Sequence, residues 1–249
     1  MRFATMSLFA VLVCSFSIRA DDAMDAKAIV AKAMKAIGAK GDDKSVITTW
    51  KDKGTFTGGD FKMPYTGDWA YQGPDKYRFA ISGDFGGMKI DFLVIVNGTK
   101  AWESSMGKSQ EITGEKLEQT LAEVYQFHVL SLLPLVTDKE FKLTTAGEKD
   151  VGGKKAAVVK VTRDKKPTVT LYFDKASGLL VKSEMMVKDE FQGWKEVIDE
   201  GYYEDYKEVG GRKVFTKMRV IRDGKPMIDA TLSDQKTHEK LDAKLFEKP

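Results

Sequence analysis

The chain has 249 residues, of which 31% are charged, and its 40 Lys and Arg against 37 Asp and Glu give a formal net charge of +3. Positive and negative residues alternate along the sequence, as in Lys51-Asp52-Lys53, so there is no basic stripe of the kind that binds nucleic acid. The composition therefore favours a globular protein whose partner is not a nucleic acid.

Residues 1–20 have the features of an export signal. Arg2 gives a positive start, an apolar run covers residues 3–18, and Ala20 offers a small residue at the cleavage point. The run is too short for a comfortable transmembrane helix, and an uncleaved anchor is the alternative. We therefore expect an exported chain that is soluble in the periplasm, with residues 21–249 forming a single domain.

The only cysteine, Cys14, lies inside this signal. The residues before it lack the small side chains that a bacterial lipoprotein cleavage site has there. Cleavage after Ala20 would leave a chain with no disulfide and no thiolate metal site. The sequence also offers no pattern that predicts a cofactor.

The segment after the signal predicts one amphipathic helix. It extends from Asp21 to Ala39, with Asp21 or Asp22 as its cap and Gly38 at its end. The apolar residues that recur at spacings of three and four are Ala26, Ile29, Val30, Met34 and Ile37.

From Ser45 onward, turn signals such as Asn97-Gly98 and Asp223-Gly224 recur at nearly regular intervals. These dipeptides supply the positive φ angles of tight hairpins. The runs between them are rich in Val, Ile, Thr, Tyr and Phe, which predicts about 11 or 12 antiparallel strands.

One segment, Thr113 to Val136, interrupts the strands and predicts a second helix, which Pro134 should end. With no alternation of strands and helices, the fold class is α+β, with helices on one side of an antiparallel sheet. We expect His128 in this helix to be a hydrogen-bonded residue rather than a catalytic one.

A twisted sheet of this many strands tends to curl, and two helices are a small cover for its concave face. Side chains then either fill the concavity or leave part of it hollow. Each Met or aromatic residue there can also be ordinary core. The predicted lining of an apolar ligand cavity is Trp69, Tyr77, Phe79, Met88, Ile90, Phe92, Val94, Leu121, Tyr125, Val169, Leu171, Phe173, Met185 and Met218.

Three segments carry a family resemblance: "GPDKYRF" at 73–79, "VNGTKAW" at 96–102 and "YEDYKEVGGRKVF" at 203–215. With the order of elements, they make the chain resemble the superfamily of the periplasmic lipoprotein carrier LolA and the lipoprotein receptor LolB. The resemblance implies a half-open β-barrel with helices as a lid, enclosing an apolar cavity for acyl chains. It implies a lipid or an acylated lipoprotein as cargo, membrane-associated donor and acceptor proteins, and a monomer. The chain departs from the carrier in its greater length and at Phe215, where many relatives carry a Pro.

No arrangement of residues predicts an enzyme. Gly107-Lys108-Ser109 lacks the first glycine of a phosphate-binding loop and indicates a hairpin turn, and no Gly-x-Ser-x-Gly nucleophile motif occurs. Our hypothesis is a periplasmic carrier or sensor that binds an acyl chain, with a role in sorting lipoproteins to the outer membrane. The alternative is an envelope protein with a solid core that binds another protein through its β-surface.

Overall fold

The computed structural model describes residues 20–39, 46–58 and 61–249. The proposed signal peptide, residues 1–20, lies outside this part of the chain except for its last residue. Within the described residues, no helix is both long enough and apolar enough to span a membrane.

The first helix, α1 (Ala20–Ala36), begins one residue before the predicted start, so Asp21 and Asp22 lie inside it rather than at its cap. Its buried face consists of Ala26, Val30 and Ala33. The helix ends at Ala36, three residues before the predicted Ala39, and Gly38, at a φ of 72°, follows it.

In the described part of the chain, thirteen strands form one antiparallel sheet, one or two more than the turn pattern predicts. Their bounds are β1 Ile47–Gly58, β2 Phe61–Gln72, β3 Lys76–Phe85, β4 Met88–Asn97, β5 Lys100–Ser105, β6 Lys108–Ile112, β7 Lys142–Val151, β8 Lys154–Thr162, β9 Val169–Asp174, β10 Leu180–Asp189, β11 Lys195–Val209, β12 Arg212–Arg222 and β13 Lys225–Thr237. The antiparallel α+β class is thereby confirmed, and the strand order leaves the sheet open between β6 and β7.

The chain enters the sheet at its centre, because β1 pairs with β2 on one side and with the last strand, β13, on the other. One arm runs outward from β1 to β6, and the second arm runs from β13 to β7. The segment between β6 and β7 must therefore connect the two outer edges of the sheet.

That connection contains α2 (Gly114–Leu130) and α3 (Leu133–Thr137), where the sequence predicted one helix from Thr113 to Val136. The helix breaks at Leu132, whose backbone has a φ of 62°. The prediction that Pro134 ends the helix is wrong. Pro134 lies in the first turn of α3, where a missing N–H leaves no intrahelical bond unmade.

Contacts of α2 show that the sheet is strongly curved. The Nζ of Lys116 in α2 lies 2.7 Å from Oε2 of Glu103 in β5 and 3.6 Å from Oε1 of Glu190, just after β10. In the sheet order β5 and β10 are separated by eight strand spacings, about 38 Å in a flat sheet. One lysine reaches both arms only because the sheet bends round α2.

Both α1 and α2 pack against the same face of the sheet, which we call the inner face. The C-terminal segment packs on the opposite, outer face, where Phe246 is buried against Ile47, Ala70 and Ile95. The two faces of the first arm are thus covered by different parts of the chain.

The hairpin between β5 and β6 offers a test of backbone strain. Met106 and Gly107 have φ angles of 50° and 77°, and Asp223 and Gly224 have similar angles in the β12–β13 hairpin. A positive φ costs less free energy for Asn and Asp than for Met. We therefore expect Met106→Asn to raise the free energy of unfolding by about 1 kcal/mol. Urea unfolding measures this, with Met88→Asn as the control, since Met88 is also exposed but has a β-strand backbone. Equal effects of the two substitutions would contradict the strain argument.

Candidate functional site

An aromatic row crosses the inner face of the first arm. It consists of Trp50, Trp69, Phe79 and Phe92 on the consecutive strands β1 to β4. The rings of Trp50 and Trp69 stack with centroids 5.6 Å apart, those of Trp69 and Phe79 lie 4.9 Å apart, and those of Phe79 and Phe92 lie 5.9 Å apart. The register places Trp50 opposite Trp69 and Trp69 opposite Phe79, so alternation along each strand brings these side chains to one face.

Helix α2 packs against this row. Phe127 lies 6.0 Å from Trp50 and 5.1 Å from Tyr77 between ring centroids. Leu117, Leu121 and Val124 of the same helix belong to the same apolar cluster. Helix α2 therefore supplies the upper wall of the site and the row supplies its floor.

The aromatic row is only partly covered. All four of its side chains are partly exposed, as are Leu117 and Leu121 above them, whereas Tyr77 and Val96 of the same face are buried. Solvent thus reaches apolar groups on the concave side of the sheet.

Two grooves open at the end of the sheet where β3 turns into β4. One, of about 640 Å³, is lined mainly by outer-face residues such as Thr55, Pro64 and Asp229. The other, of about 360 Å³, is also lined mainly by the outer face, with Ala80, Asp91 and Ser104. Both grooves therefore lie largely on the outer face.

The predicted cavity residues fall into two groups. Trp69, Tyr77, Phe79, Phe92, Val94 and Leu121 lie together in the cluster beneath α2, and Ile90 lies in the neighbouring cluster. Tyr125, Val169, Leu171, Phe173, Met185 and Met218 belong to a different cluster, between the second arm and the two helices.

The sequence analysis predicted that both groups line one open cavity. In the structure, the second group does not face the first across an open space. Val169, Leu171, Phe173 and Met185 are at most 1% exposed, so they form closed core. Met88 is 50% exposed at a hairpin. Helix α2 separates the two clusters. The periodicity of a strand shows which residues share a face of the sheet, but it does not show where a helix packs across that face.

A buried carboxyl group lies beside the aromatic row, and the sequence analysis missed it. Asp52 of β1 is 4% exposed; it accepts a hydrogen bond from Nε1 of Trp69 at 2.7 Å and one from the hydroxyl of Tyr65 at 2.9 Å. Burial raises the pKa of Asp52 above its ordinary value, although both hydrogen bonds act in the opposite direction. A polar residue at an inward position of β1, between Trp50 and Phe56, was the signal available.

Gly67 makes room for this carboxylate. A Cβ at Gly67 would lie 2.1 Å from Oδ1 of Asp52 and 2.4 Å from Nε1 of Trp69. The missing side chain lets Asp52 lie against β2 and reach its two donors.

Charged residues join α2 to both arms. In addition to Lys116, Lys188 of β10 lies 3.2 Å from Glu115 and 3.2 Å from Glu118 of α2. Arg222 donates two hydrogen bonds of 2.6 Å to Asp199. These pairs lie at the ends of β10 and β12 and at the start of α2, so ionic groups border the apolar row.

His128 in α2 is hydrogen-bonded, as predicted, through Nδ1 to the hydroxyl of Tyr71 at 2.9 Å. Burial lowers the pKa of His128. Arg78 lies 3.7 Å from Asp68 on the outer face, within ion-pair distance. Within residues 20–39, 46–58 and 61–249, no group of three or more His, Cys, Asp or Glu is placed to hold a metal ion.

Solved structures with this architecture come from several bacteria. A LolA superfamily protein from Nitrosomonas europaea matches with a TM-score of 0.58 and 14% identity, over 90% of this chain and 97% of the other. The chain has a LolA-like fold. A putative outer membrane lipoprotein-sorting protein domain from Vibrio parahaemolyticus matches with a TM-score of 0.54 and 10% identity, over 90% and 97%.

A DUF1329 family protein from Desulfovibrio piger shares the LolA-like fold, with a TM-score of 0.56 and 14% identity over 91% of this chain and 97% of the other. The sequence itself matches no protein-family model and no curated protein. The likeness therefore lies in the fold and not in the sequence.

The contact between Gly67 and Asp52 predicts a destabilising substitution. We expect Gly67→Ala to lower the free energy of unfolding by about 1–3 kcal/mol, because the added methyl group displaces Asp52 or Trp69. Urea unfolding followed by tryptophan fluorescence measures both the stability and the environment of Trp69. Thr66→Ala, at the neighbouring exposed position, is the control and should change little. An unchanged midpoint for Gly67→Ala would show that the site has more room than described.

The pKa of Asp52 gives a prediction with a definite sign. Because it is raised in the folded state, the contribution of Asp52 to stability is complete below its ordinary value of 3.8 and is lost as pH rises through the raised value. The wild-type chain should therefore gain stability relative to Asp52→Asn as pH falls.

The control for this experiment is Asp91→Asn. A hydrogen bond from Ser82 lowers the pKa of Asp91, so the wild-type chain should lose stability relative to that variant as pH falls. Urea unfolding of the three proteins between pH 3 and 8 measures both differences. The same trend in both variants would rule out burial as the cause at Asp52.

Proposed function

We propose that the protein is an exported envelope protein that binds an acyl chain of a lipid or lipoprotein on the aromatic row, with α2 as a lid. The observation that carries the proposal is the partly exposed state of Trp50, Trp69, Phe79 and Phe92 on the concave side of the sheet. Large apolar side chains left accessible on an inner face are typical of a ligand site.

The fold supports the same function. A solved structure that shares it is described as a putative outer membrane lipoprotein-sorting protein domain. In our proposal, residues 1–20 are removed on export, and residues 21–249 act as one periplasmic domain that carries or senses its cargo and exchanges it with membrane-associated partners.

The energetics are compatible with reversible binding. Burial of one methylene contributes roughly 0.8 kcal/mol, so an acyl chain of about 14 carbons gains on the order of 10 kcal/mol before costs. Ordering of the chain and displacement of α2 subtract from this gain. A modest net affinity suits a protein that must release its cargo.

The proposed ligand contacts are those predicted residues that line the open part of the inner face. They are Trp69, Phe79, Ile90, Phe92 and Leu121, joined by Trp50 and Phe127, which the sequence analysis did not include. The closed core of the second arm supports the structure around them.

The tryptophans allow a direct test of the location. A lipid with brominated acyl chains should quench the fluorescence of Trp50 and Trp69, because bromine must approach an indole closely to do so. In the double variant Trp50→Phe, Trp69→Phe most of the quenching should be lost. The variant Trp102→Phe is the control, since Trp102 packs on the outer face.

A second pair of variants tests whether the lipid binds to the inner face of the sheet. We expect Ile81→Arg, on the inner face, to weaken binding of the brominated lipid at least tenfold, because it places a charge in an apolar site. The matched control is Ile198→Arg, since Ile198 is 48% exposed on the outer face. No uptake of the lipid by the wild-type chain, together with a clean mass of protein purified from its own host, would instead favour a protein-binding domain with a solid core.

A further inference from the structure

The inner face carries a buried carboxyl group, that of Asp52, at the aromatic row. Asp52 lies beside Trp69, and both of its hydrogen-bond donors, Trp69 and Tyr65, are neutral. A buried carboxylate without a close cation is costly in an apolar setting, so its presence beside the floor of the site is unusual.

A second carboxylate approaches from above. Glu123 lies in α2, between Leu121 and Val124 of the apolar cluster, and accepts a hydrogen bond of 2.9 Å from the neutral amide of Gln119. Burial raises the pKa of Glu123, the hydrogen bond from Gln119 and the charge of Arg222 lower it, and Asp199 of the sheet raises it further. The side chain of Glu123 is partly exposed, and it lies close enough to the sheet to interact with Arg222 and Asp199.

The cations near these groups already have carboxylate partners. Arg222 is bound in bidentate fashion by Asp199, and Asp189 lies 3.9 Å from it. Lys116 lies within ion-pair distance of both Glu103 and Glu190. Each cation has two acidic neighbours, so the border of the site is acidic as well.

A charged head group of a ligand would interact electrostatically with these carboxyl groups. Electrostatic interactions in a partly desolvated site are several times stronger than in water. An anionic group brought near Asp52 or Glu123 is repelled, whereas a cationic group is attracted. The chain has a formal charge of +3, which becomes +1 once residues 1–20, with Arg2 and Arg19, are removed as proposed; this small positive charge acts in the opposite direction.

We infer that the inner face selects amphiphiles with a neutral or cationic head group over amphiphiles with an anionic one. This inference rests on the proposed function and adds the ligand's charge to it. It points to a cargo whose polar part is esterified, amide-linked or amino-bearing, and it disfavours free fatty acids.

The test compares three probes with the same twelve-carbon chain: dodecyltrimethylammonium, 1-dodecanol and dodecanoate. The two ions are used below their micelle concentrations and the alcohol below its solubility limit, at low ionic strength, to displace the brominated lipid from the intact protein. We expect the cation and the alcohol to bind at least ten times more tightly than dodecanoate.

Three variants assign the effect to the residues named. Asp52→Asn and Glu123→Gln should each reduce the ratio between cation and anion several-fold. Asp68→Asn is the matched control, because Asp68 follows Gly67 in β2 with its carboxylate exposed on the outer face. That variant changes the net charge equally and should leave the ratio unchanged.

The outcomes separate this inference from the proposed function. If dodecanoate binds as tightly as the cation, the charge selection is wrong and the acyl-chain site stands. If Asp68→Asn lowers the ratio as much as Asp52→Asn, net charge is the cause and the inference fails. If none of the probes and no brominated lipid binds, the proposed function itself is wrong.

Discussion

The architecture depends on the requirement that one short connection join the two outer edges of a thirteen-stranded sheet. Strands β6 and β7 lie at opposite ends of the strand order, and α2 with α3 is the link between them. Helix α2 spans only about 25 Å, less than half the width of such a sheet laid flat. The sheet must therefore curve, and the helix must lie inside the curve.

This geometry explains why the inner face is divided. Helix α2 has apolar residues toward both arms, with Leu117, Leu121 and Phe127 toward the aromatic row and Tyr125 and Val129 toward the second arm. Helix α1 covers the second arm in addition, so that side is closed. The first arm has α2 alone, and its aromatic side chains remain partly accessible.

Much of the fold could be predicted from local signals, and less of the site could. Turn dipeptides such as Asn97-Gly98 and the alternation along β3 and β4 located strands and faces, because both act over a few residues. The position of α2 above the sheet depends on contacts between distant residues, so the separation of Phe92 from Phe173 could not be read from either strand. The inward position of Asp52 could be read from β1, but its two donors lie on β2, and no pattern within β1 identifies them.

The pairing of β1 with β13 has a consequence for how the chain folds during its synthesis. Thr48 and Thr237 are neighbours in the sheet. The pairing at the centre of the sheet, which we call the central seam, therefore joins the first strand, β1, to the last strand, β13. Each arm is a run of hairpins that can form early, whereas the seam requires the whole chain. While the chain is being synthesised from its N-terminus, the edge of β1 stays unpaired until β13 is complete. This makes β1 the strand most in need of protection from aggregation.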